Sequence, residues 1–267
     1  SDETPFSRVS WLYRVAIEKA LSSQFKQSRS ILILEEGLRF APDVLWYFAQ
    51  LEPLLHRDPT LWCISALNDN GLAPYVADPT VVTRTDWFSG VAWLAPMGLL
   101  HGEMFPRWPH EHWESIFRRP ALRHGRQCLI PEVTRVRRSV TMFPQASRFQ
   151  RSSVNDLPVH RMLLNQKRFV DLGKVERLTD ERYRQLFYAD WPGEGLVHAK
   201  PLASIRPLLD GRVGKGGVWR IVFRSNDPET DMSWKVIARF LGLWPDVPIR
   251  GAYMGVLRLR WHQSILY

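Results

Sequence analysis

Two adjacent carboxylates, Glu35 and Glu36, stand where they could bind a ligand. They directly follow an unbroken apolar run, residues 31–34, which predicts a strand in the middle of a sheet, buried on both faces. In open α/β sheets, ligands bind at the carboxyl ends of such strands. The sequence therefore predicts a binding site at this pair of acids. The alternative is that both carboxylates mark a strand end that water solvates.

The elements that must position these acids alternate between helix and strand. The spacing of apolar residues predicts helices over residues 9–27 and 44–55. Short apolar runs predict strands over residues 31–34 and 61–66, and a strand edge is expected at residues 128–131. This alternation is typical of the α/β class.

The second half of the chain has less regular patterns. Residues 134–165 show weak periodicity and many polar side chains, which predicts a long loop. Beyond it we expect these elements: helices over residues 179–189 and 232–241, a glycine-rich turn at 214–217, and strands at 218–223 and near 252–260. We therefore divide the chain into a core of residues 1–135, a connecting region of residues 136–170 and a small α+β region of residues 171–267.

The chain is basic, but its charge is spread out. Lysine and arginine total 36 against 27 acidic residues, which gives a net charge of +9. Only Arg135, Arg137 and Arg138 are tightly grouped, so the pattern argues against a nucleic-acid partner, although charge alone does not exclude one. No apolar run approaches the roughly 18–20 residues that a membrane span needs. The two cysteines exclude a zinc site with four cysteine ligands.

A series of motifs follows in order between about residues 10 and 135. They are Leu34-Glu35-Glu36-Gly37, Ala41-Pro42-Asp43, residues 61–71, residues 84–94, Pro106-Arg107-Trp108-Pro109, Trp113-Glu114, Arg118-Arg119-Pro120 and residues 125–132. In type and spacing this series resembles the β-1,2-N-acetylglucosaminyltransferases, which add GlcNAc to mannose of glycoproteins. The resemblance implies a GT-A-like (Rossmann-like) α/β fold with a mixed sheet and a smaller C-terminal region.

The resemblance also implies roles for several residues in an inverting transfer from UDP-GlcNAc. Glu114 matches the catalytic base, Trp113 matches an aromatic residue that lines the sugar pocket, and Glu35 matches a residue that contacts the sugar. The family binds Mn²⁺ with the last acid of an acidic triplet, which here reads Glu35-Glu36-Gly37. The alternative for Glu114 is an exposed acid that pairs with Arg118 one helical turn away.

Several departures from the family pattern predict that catalysis is weakened or lost. Gly37 has no side chain with which to bind a metal, and Glu114 replaces an aspartate, which displaces the carboxylate by one methylene. The sequence begins at the helix over residues 10–27, so the resemblance predicts a sheet truncated at its N-terminal, nucleotide-binding half. Residues 136–140 do not reproduce the family's loop that closes over the donor.

The resemblance further implies a disulfide between Cys63 and Cys128, because the matching cysteines of the family pair in the lumen of the secretory pathway. The alternative is two reduced cysteines that pack in the core as small apolar side chains.

The leading hypothesis is a catalytically degenerate relative of these transferases. It would be a structural or accessory subunit that binds other protein subunits of a larger assembly, needs no cofactor, and works in an organelle such as the mitochondrion. One alternative is an active, inverting transferase of the Golgi lumen that uses UDP-GlcNAc and takes a glycoprotein acceptor. In this alternative Mn²⁺ would be unnecessary or held by Glu35 and Glu36. A third is a non-catalytic glycan-binding module in which Trp87, Trp93 and Trp113 stack against sugars.

Overall fold

The computed structural model describes most of the chain. The described residues are 4–22, 27–139, 162–189, 196–198, 216–222, 234–246 and 248–267. The loop predicted over residues 134–165 lies outside them from residue 140 to residue 161. The turn predicted at residues 214–217 lies outside them at residues 214 and 215.

A mixed sheet of five strands forms the centre of the first half. The strands of this half are β1 Ser30–Leu34, β2 Leu38–Phe40, β3 Leu61–Ser65, β4 Val82–Thr85, β5 Ala92–Pro96, β6 Gln127–Pro131 and β7 Val136–Arg138. The main sheet has the order β1-β5-β3-β6-β4, and β2 pairs separately with β7. Only the β3–β6 pair of this sheet is parallel. The predicted α/β class with a mixed sheet is therefore confirmed.

Helices cover both faces of this sheet. The described α-helices of the first half are α1 Pro5–Ser22, α2 Val44–Arg57, α3 Met97–Leu99, α4 Glu114–Arg118 and α5 Pro120–Arg123. In α2, Tyr47, Leu51 and Leu54 recur at helical spacing and bury one stripe. That stripe joins the apolar cluster on one face of the sheet, and α1 joins the aromatic cluster on the other face through Ile17.

The prediction that β1 lies in the middle of the sheet is wrong. Among the described residues β1 pairs only with β5, and its side chains are half-buried or exposed. Residues 31–34 are all apolar because side chains on both faces of β1 pack against apolar neighbours. Ile31 and Ile33 pack against the aromatic cluster, whereas Leu32 packs against the cluster on the α2 face. A short apolar run does not distinguish a central strand from an edge strand that is covered in this way.

Within its described residues, the second half adds two α-helices and a smaller sheet. They are α6 Asp180–Ala189, α7 Trp234–Leu241, β8 Leu196–His198, β9 Gly217–Val222, β10 Leu259–Trp261 and β11 Ser264–Leu266. The strand order is β10-β11-β9-β8. Of the strand predicted near residues 252–260, only the end is a strand. The predicted domain boundaries stay a prediction. In the described part of the chain, no helix has the length and apolar character needed to cross a membrane.

An aromatic cluster surrounds a disulfide on the α1 face of the sheet. Cys63 and Cys128 face each other across the parallel β3–β6 pair, with their Cα atoms 4.6 Å apart, and their sulfur atoms are bonded. Trp62 stacks on Phe117 with ring centroids 5.2 Å apart. Trp93, which is fully buried, packs against the same rings. The disulfide therefore fixes the two central strands inside the cluster that supports the candidate site.

Replacing both cysteines by alanine should destabilise the protein. The disulfide spans a sequence separation of 65 residues, and a closed loop of that size stabilises the folded state by roughly 4 kcal/mol in the chain-entropy model. Chemical denaturation in oxidising buffer should show a loss of this order for Cys63→Ala/Cys128→Ala. The wild type measured with a reductant is the matched control and should behave like the variant. Equal unfolding free energies in all three samples would contradict the disulfide.

Candidate active site

One open pocket collects the acids that the sequence singles out. It has a volume of about 790 Å³ and lies between α1, the edge strand β1 and the start of α4. Glu35, Glu36, Trp113 and Glu114 all line it. The remaining wall is apolar along α1 and β1 and includes Val9, Leu12, Ala16, Ile31, Leu32, Ile33 and Leu34. The pocket thus has an apolar side and a charged end.

The Glu35 carboxylate is clamped from two sides. The Tyr13 hydroxyl donates a hydrogen bond of 2.6 Å to its Oε1 atom. The Arg138 guanidinium donates through Nη2 to the Oε2 atom at 2.7 Å. Burial raises the pKa of Glu35, while the positive charge of Arg138 and both hydrogen bonds act to lower this pKa. Burial and the neighbouring Glu35 charge raise the pKa of Tyr13, so its hydroxyl remains a donor.

The backbone at the end of β1 explains how these groups meet. Glu35 follows β1, and its N–H donates to the Val91 carbonyl at 3.1 Å, which continues the pairing with β5. The chain then turns at Glu36 and Gly37 into β2. Gly37 has a φ of 69°, a left-handed conformation that glycine adopts without steric cost. Because β2 pairs with β7 and Leu38 lies opposite Arg138, this turn brings Arg138 beside Glu35.

Trp113 connects the charged end of the pocket to the core. Its ring stacks on Tyr13 with centroids 4.0 Å apart and an interplanar angle of 25°. It is also parallel to the Trp108 ring, 6.0 Å away. Gly90 has a φ of 73°, a conformation that favours glycine, and a Cβ atom there would lie at ordinary contact distance, 3.7 Å, from both Trp113 and Glu114. These contacts hold the Trp113-Glu114 pair at the pocket wall.

Glu114 is half-buried and is the first residue of α4. In the part of the chain that the structure describes, its carboxylate has no hydrogen-bond or ion-pair partner. The expected alternative of a Glu114–Arg118 pair is not found. The Arg118 guanidinium instead lies 4.4 Å from the centroid of the Trp87 ring and donates to the Phe88 carbonyl at 3.1 Å. The Glu114 carboxylate is therefore available to a ligand.

The tryptophans predicted as sugar platforms are buried in this structure. Trp93 has no exposed surface, Trp87 is 6% exposed and Trp113 is 4% exposed. The Trp87 ring is also covered by the Arg118 and Arg250 guanidinium groups. The hypothesis of an open stacking surface built from these three residues is therefore wrong, because their rings form the core and its lining.

Sequence reasoning missed two groups of the site, Tyr13 and Arg138. Tyr13 is one apolar position among several on a predicted helix, and nothing local marks its hydroxyl. Arg138 belongs to the only tight arginine group of the chain, and that grouping was the available signal. It gave no indication that Arg138 bonds a carboxylate 103 residues away.

Comparisons with known proteins identify the family of this chain. The model of the GNT-I family matches residues 2–260. An Arabidopsis thaliana protein, alpha-1,3-mannosyl-glycoprotein 2-beta-N-acetylglucosaminyltransferase, is 29% identical over 261 residues, which are 96% of this chain. The chain spans 54%, about half, of the length of that relative. The family model matches nearly the whole sequence, and the mixed sheet with helices on its faces is consistent with that match. We conclude that the chain belongs to the GNT-I family of glycosyltransferases.

Proposed function

We propose that this chain carries the transfer site of an inverting N-acetylglucosaminyltransferase, with Glu114 as the catalytic base. The observation that supports this most is the position of Glu114, whose unpartnered carboxylate lines the same pocket as Glu35 and Trp113. A volume of about 790 Å³ lies in the range of small-molecule sites. The donor proposed from the family is UDP-GlcNAc, and the acceptor proposed from the name of the Arabidopsis relative is a mannosyl glycoprotein.

The proposed reaction is a single displacement at the anomeric carbon of GlcNAc. The acceptor hydroxyl oxygen bonds to that carbon while its proton passes to the Glu114 carboxylate. The bond from the anomeric carbon to the phosphate oxygen breaks, and its electron pair leaves with UDP. Because attack and departure occur on opposite faces, the configuration at the anomeric carbon inverts.

Glu35 fits the role of a sugar-binding group in this reaction. Its carboxylate lies at the charged end of the pocket and is held by Tyr13 and Arg138. A carboxylate held in this way accepts hydrogen bonds from sugar hydroxyl groups with little reorganisation. We therefore assign the sugar to the space between Glu35, Trp113 and Glu114.

The disulfide supports a location in an oxidising compartment. Disulfides persist in the secretory pathway and are rare where thiols are kept reduced. The Cys63–Cys128 bond therefore favours the Golgi lumen over a reducing organelle interior for this chain.

A second candidate function is the non-catalytic subunit of a larger assembly. The observation that favours it is Gly37, which provides no side chain at the position that matches the family's metal ligand. If this candidate is right, the full-length protein should form a stoichiometric complex and show no transfer. Its melting temperature should also be unchanged by UDP with Mn²⁺, because only a ligand that binds the folded state stabilises it.

Replacing the proposed base tests the leading function. Glu114→Gln keeps the side-chain shape but removes the proton acceptor, so the kcat for transfer from UDP-GlcNAc should fall by about 100- to 10,000-fold. The affinity for UDP should change little. Glu181→Gln, an exposed substitution on α6 outside the pocket, is the control and should retain the wild-type kcat. Retained turnover in Glu114→Gln would exclude Glu114 as the base.

The environment of Glu35 gives a second test. Tyr13→Phe removes a hydrogen bond that favours the ionised form of Glu35, so the pKa of Glu35 should rise further. A carbon-13 NMR titration of the Glu35 carboxyl group measures this directly. Tyr188→Phe, which removes a hydroxyl outside the pocket, should have no effect on that titration.

The sign of the accompanying stability change follows from linkage. The folded protein holds the Glu35 proton more tightly than the unfolded chain does, because its folded pKa lies above the ordinary value of 4.5. The unfolding free energy therefore decreases as pH rises from about 4.5 through the folded pKa. This decrease should be larger in Tyr13→Phe than in the wild type. A Glu35 pKa that is unchanged or lower in the variant would contradict the hydrogen bond.

A further inference from the structure

The charged end of the pocket contains a cation that the transfer mechanism has not yet used. Arg118 and Arg138 both line the pocket. The Arg118 side chain is engaged with Trp87 and the Phe88 carbonyl. The Arg138 side chain is 44% exposed, and its Nη2 atom contacts Glu35. Within the described residues the Nε and Nη1 atoms of Arg138 have no partner, so their N–H groups are available to a ligand.

The oxygen atoms beside Arg138 do not fit a divalent cation such as Mn²⁺. Such ions take several carboxylate or carbonyl oxygens at once. Gly37 offers only a carbonyl, which accepts the Ser139 N–H at 2.8 Å. Glu35, whose oxygens accept hydrogen bonds from Tyr13 and Arg138, and the exposed Glu36 are the two carboxylates of this turn. No group of three or more histidine, cysteine, aspartate or glutamate side chains that could bind a metal occurs in the described part of the chain.

The position of Arg138 is fixed by the backbone on either side of it. β7 pairs with β2, and the Ser139 N–H bonds the Gly37 carbonyl, so Arg138 lies next to the turn that follows β1. Three residues earlier, Arg135 is fully buried and pairs with Asp43 at 3.0 Å. The Arg135 guanidinium also donates to the Val133 and Pro79 carbonyls. This buried anchor holds the start of β7 and hence the direction from which Arg138 enters the pocket.

We propose that Arg138 binds the diphosphate of the sugar nucleotide and replaces the divalent cation, so that transfer by this protein needs no metal. The proposal rests on the proposed function. A guanidinium keeps its positive charge at every physiological pH and presents a planar fork of N–H donors that matches phosphate oxygens. As the bond to the anomeric carbon breaks, negative charge develops on the departing phosphate oxygen. The N–H groups of Arg138 that remain free stabilise that charge.

The ion pair with Glu35 is compatible with this role. Glu35 contacts the guanidinium through Nη2 alone, and Arg138 itself lines the pocket, so the Nε and Nη1 groups remain for phosphate oxygens. The same pair would exist if Arg138 served only to hold Glu35. The two roles differ in one property, which is the affinity of the protein for the diphosphate group.

The experiment measures UDP binding by calorimetry and GlcNAc transfer, both on the full-length protein in EDTA. The wild type should bind UDP and transfer GlcNAc in EDTA, and added Mn²⁺ should change neither by more than about twofold. Arg138→Ala should weaken UDP binding by about 10- to 100-fold, as expected for loss of a charge-assisted contact. Arg138→Lys keeps the charge but not the planar fork of donors. Its affinity for UDP should lie between those of the wild type and Arg138→Ala. Arg137→Ala removes the same charge one residue away, outside the pocket, and should match the wild type.

The outcomes separate this proposal from the proposed function. If transfer stops in EDTA and returns with Mn²⁺, the role assigned to Arg138 is wrong while the transferase function stands. If Arg138→Ala binds UDP as tightly as Arg137→Ala and both keep the wild-type melting temperature, Arg138 only positions Glu35, and the proposal is overturned. If the wild type neither binds UDP nor transfers GlcNAc with or without Mn²⁺, both proposals are overturned.

Discussion

The clamp on the Glu35 carboxylate is the interaction on which the candidate site depends. A partly buried carboxylate such as Glu35 loses hydration, and charged or hydrogen-bonding groups compensate that loss. Here Tyr13 of α1 and Arg138 of β7 supply that compensation at 2.6 Å and 2.7 Å. Three elements far apart in sequence are thereby held at the end of β1. The clamp also determines what the pocket offers a ligand, because it places a free edge of a guanidinium beside a fixed carboxylate.

The aromatic cluster around the disulfide packs against Tyr13 and so supports the clamp on Glu35. Trp113 stacks on Tyr13, and Trp113 in turn contacts Phe117, which stacks on Trp62 beside the disulfide. A displacement of the Cys63–Cys128 strand pair would therefore reach Tyr13, and through it Glu35, by direct contacts. Trp62, Trp93 and Trp113 of this cluster are almost fully buried, whereas Trp11 and Trp46 are exposed on the surface.

Local pattern predicted what is local in this fold. The apolar runs predicted as strands over residues 31–34 and 61–66 form β1 and β3, of which only β3 is fully buried. The position of β1 at the sheet edge was mispredicted, since it depends on pairing with a strand about 60 residues later. The family resemblance predicted that Glu35 and Glu114 share one site. No local sequence pattern predicted it. The Arg138–Glu35 contact depends on the β2–β7 pairing, which neither periodicity nor the resemblance contained.

The central claim is that a guanidinium provides the positive charge for the leaving diphosphate at this site. A crystal structure of the full-length protein grown with both UDP and Mn²⁺ tests it most directly. The account predicts β-phosphate oxygens within about 3 Å of the Arg138 nitrogens and no metal bound beside Gly37. A manganese ion that bridges the two phosphates and is bound by protein oxygens near Gly37, with Arg138 turned toward solvent, would contradict it.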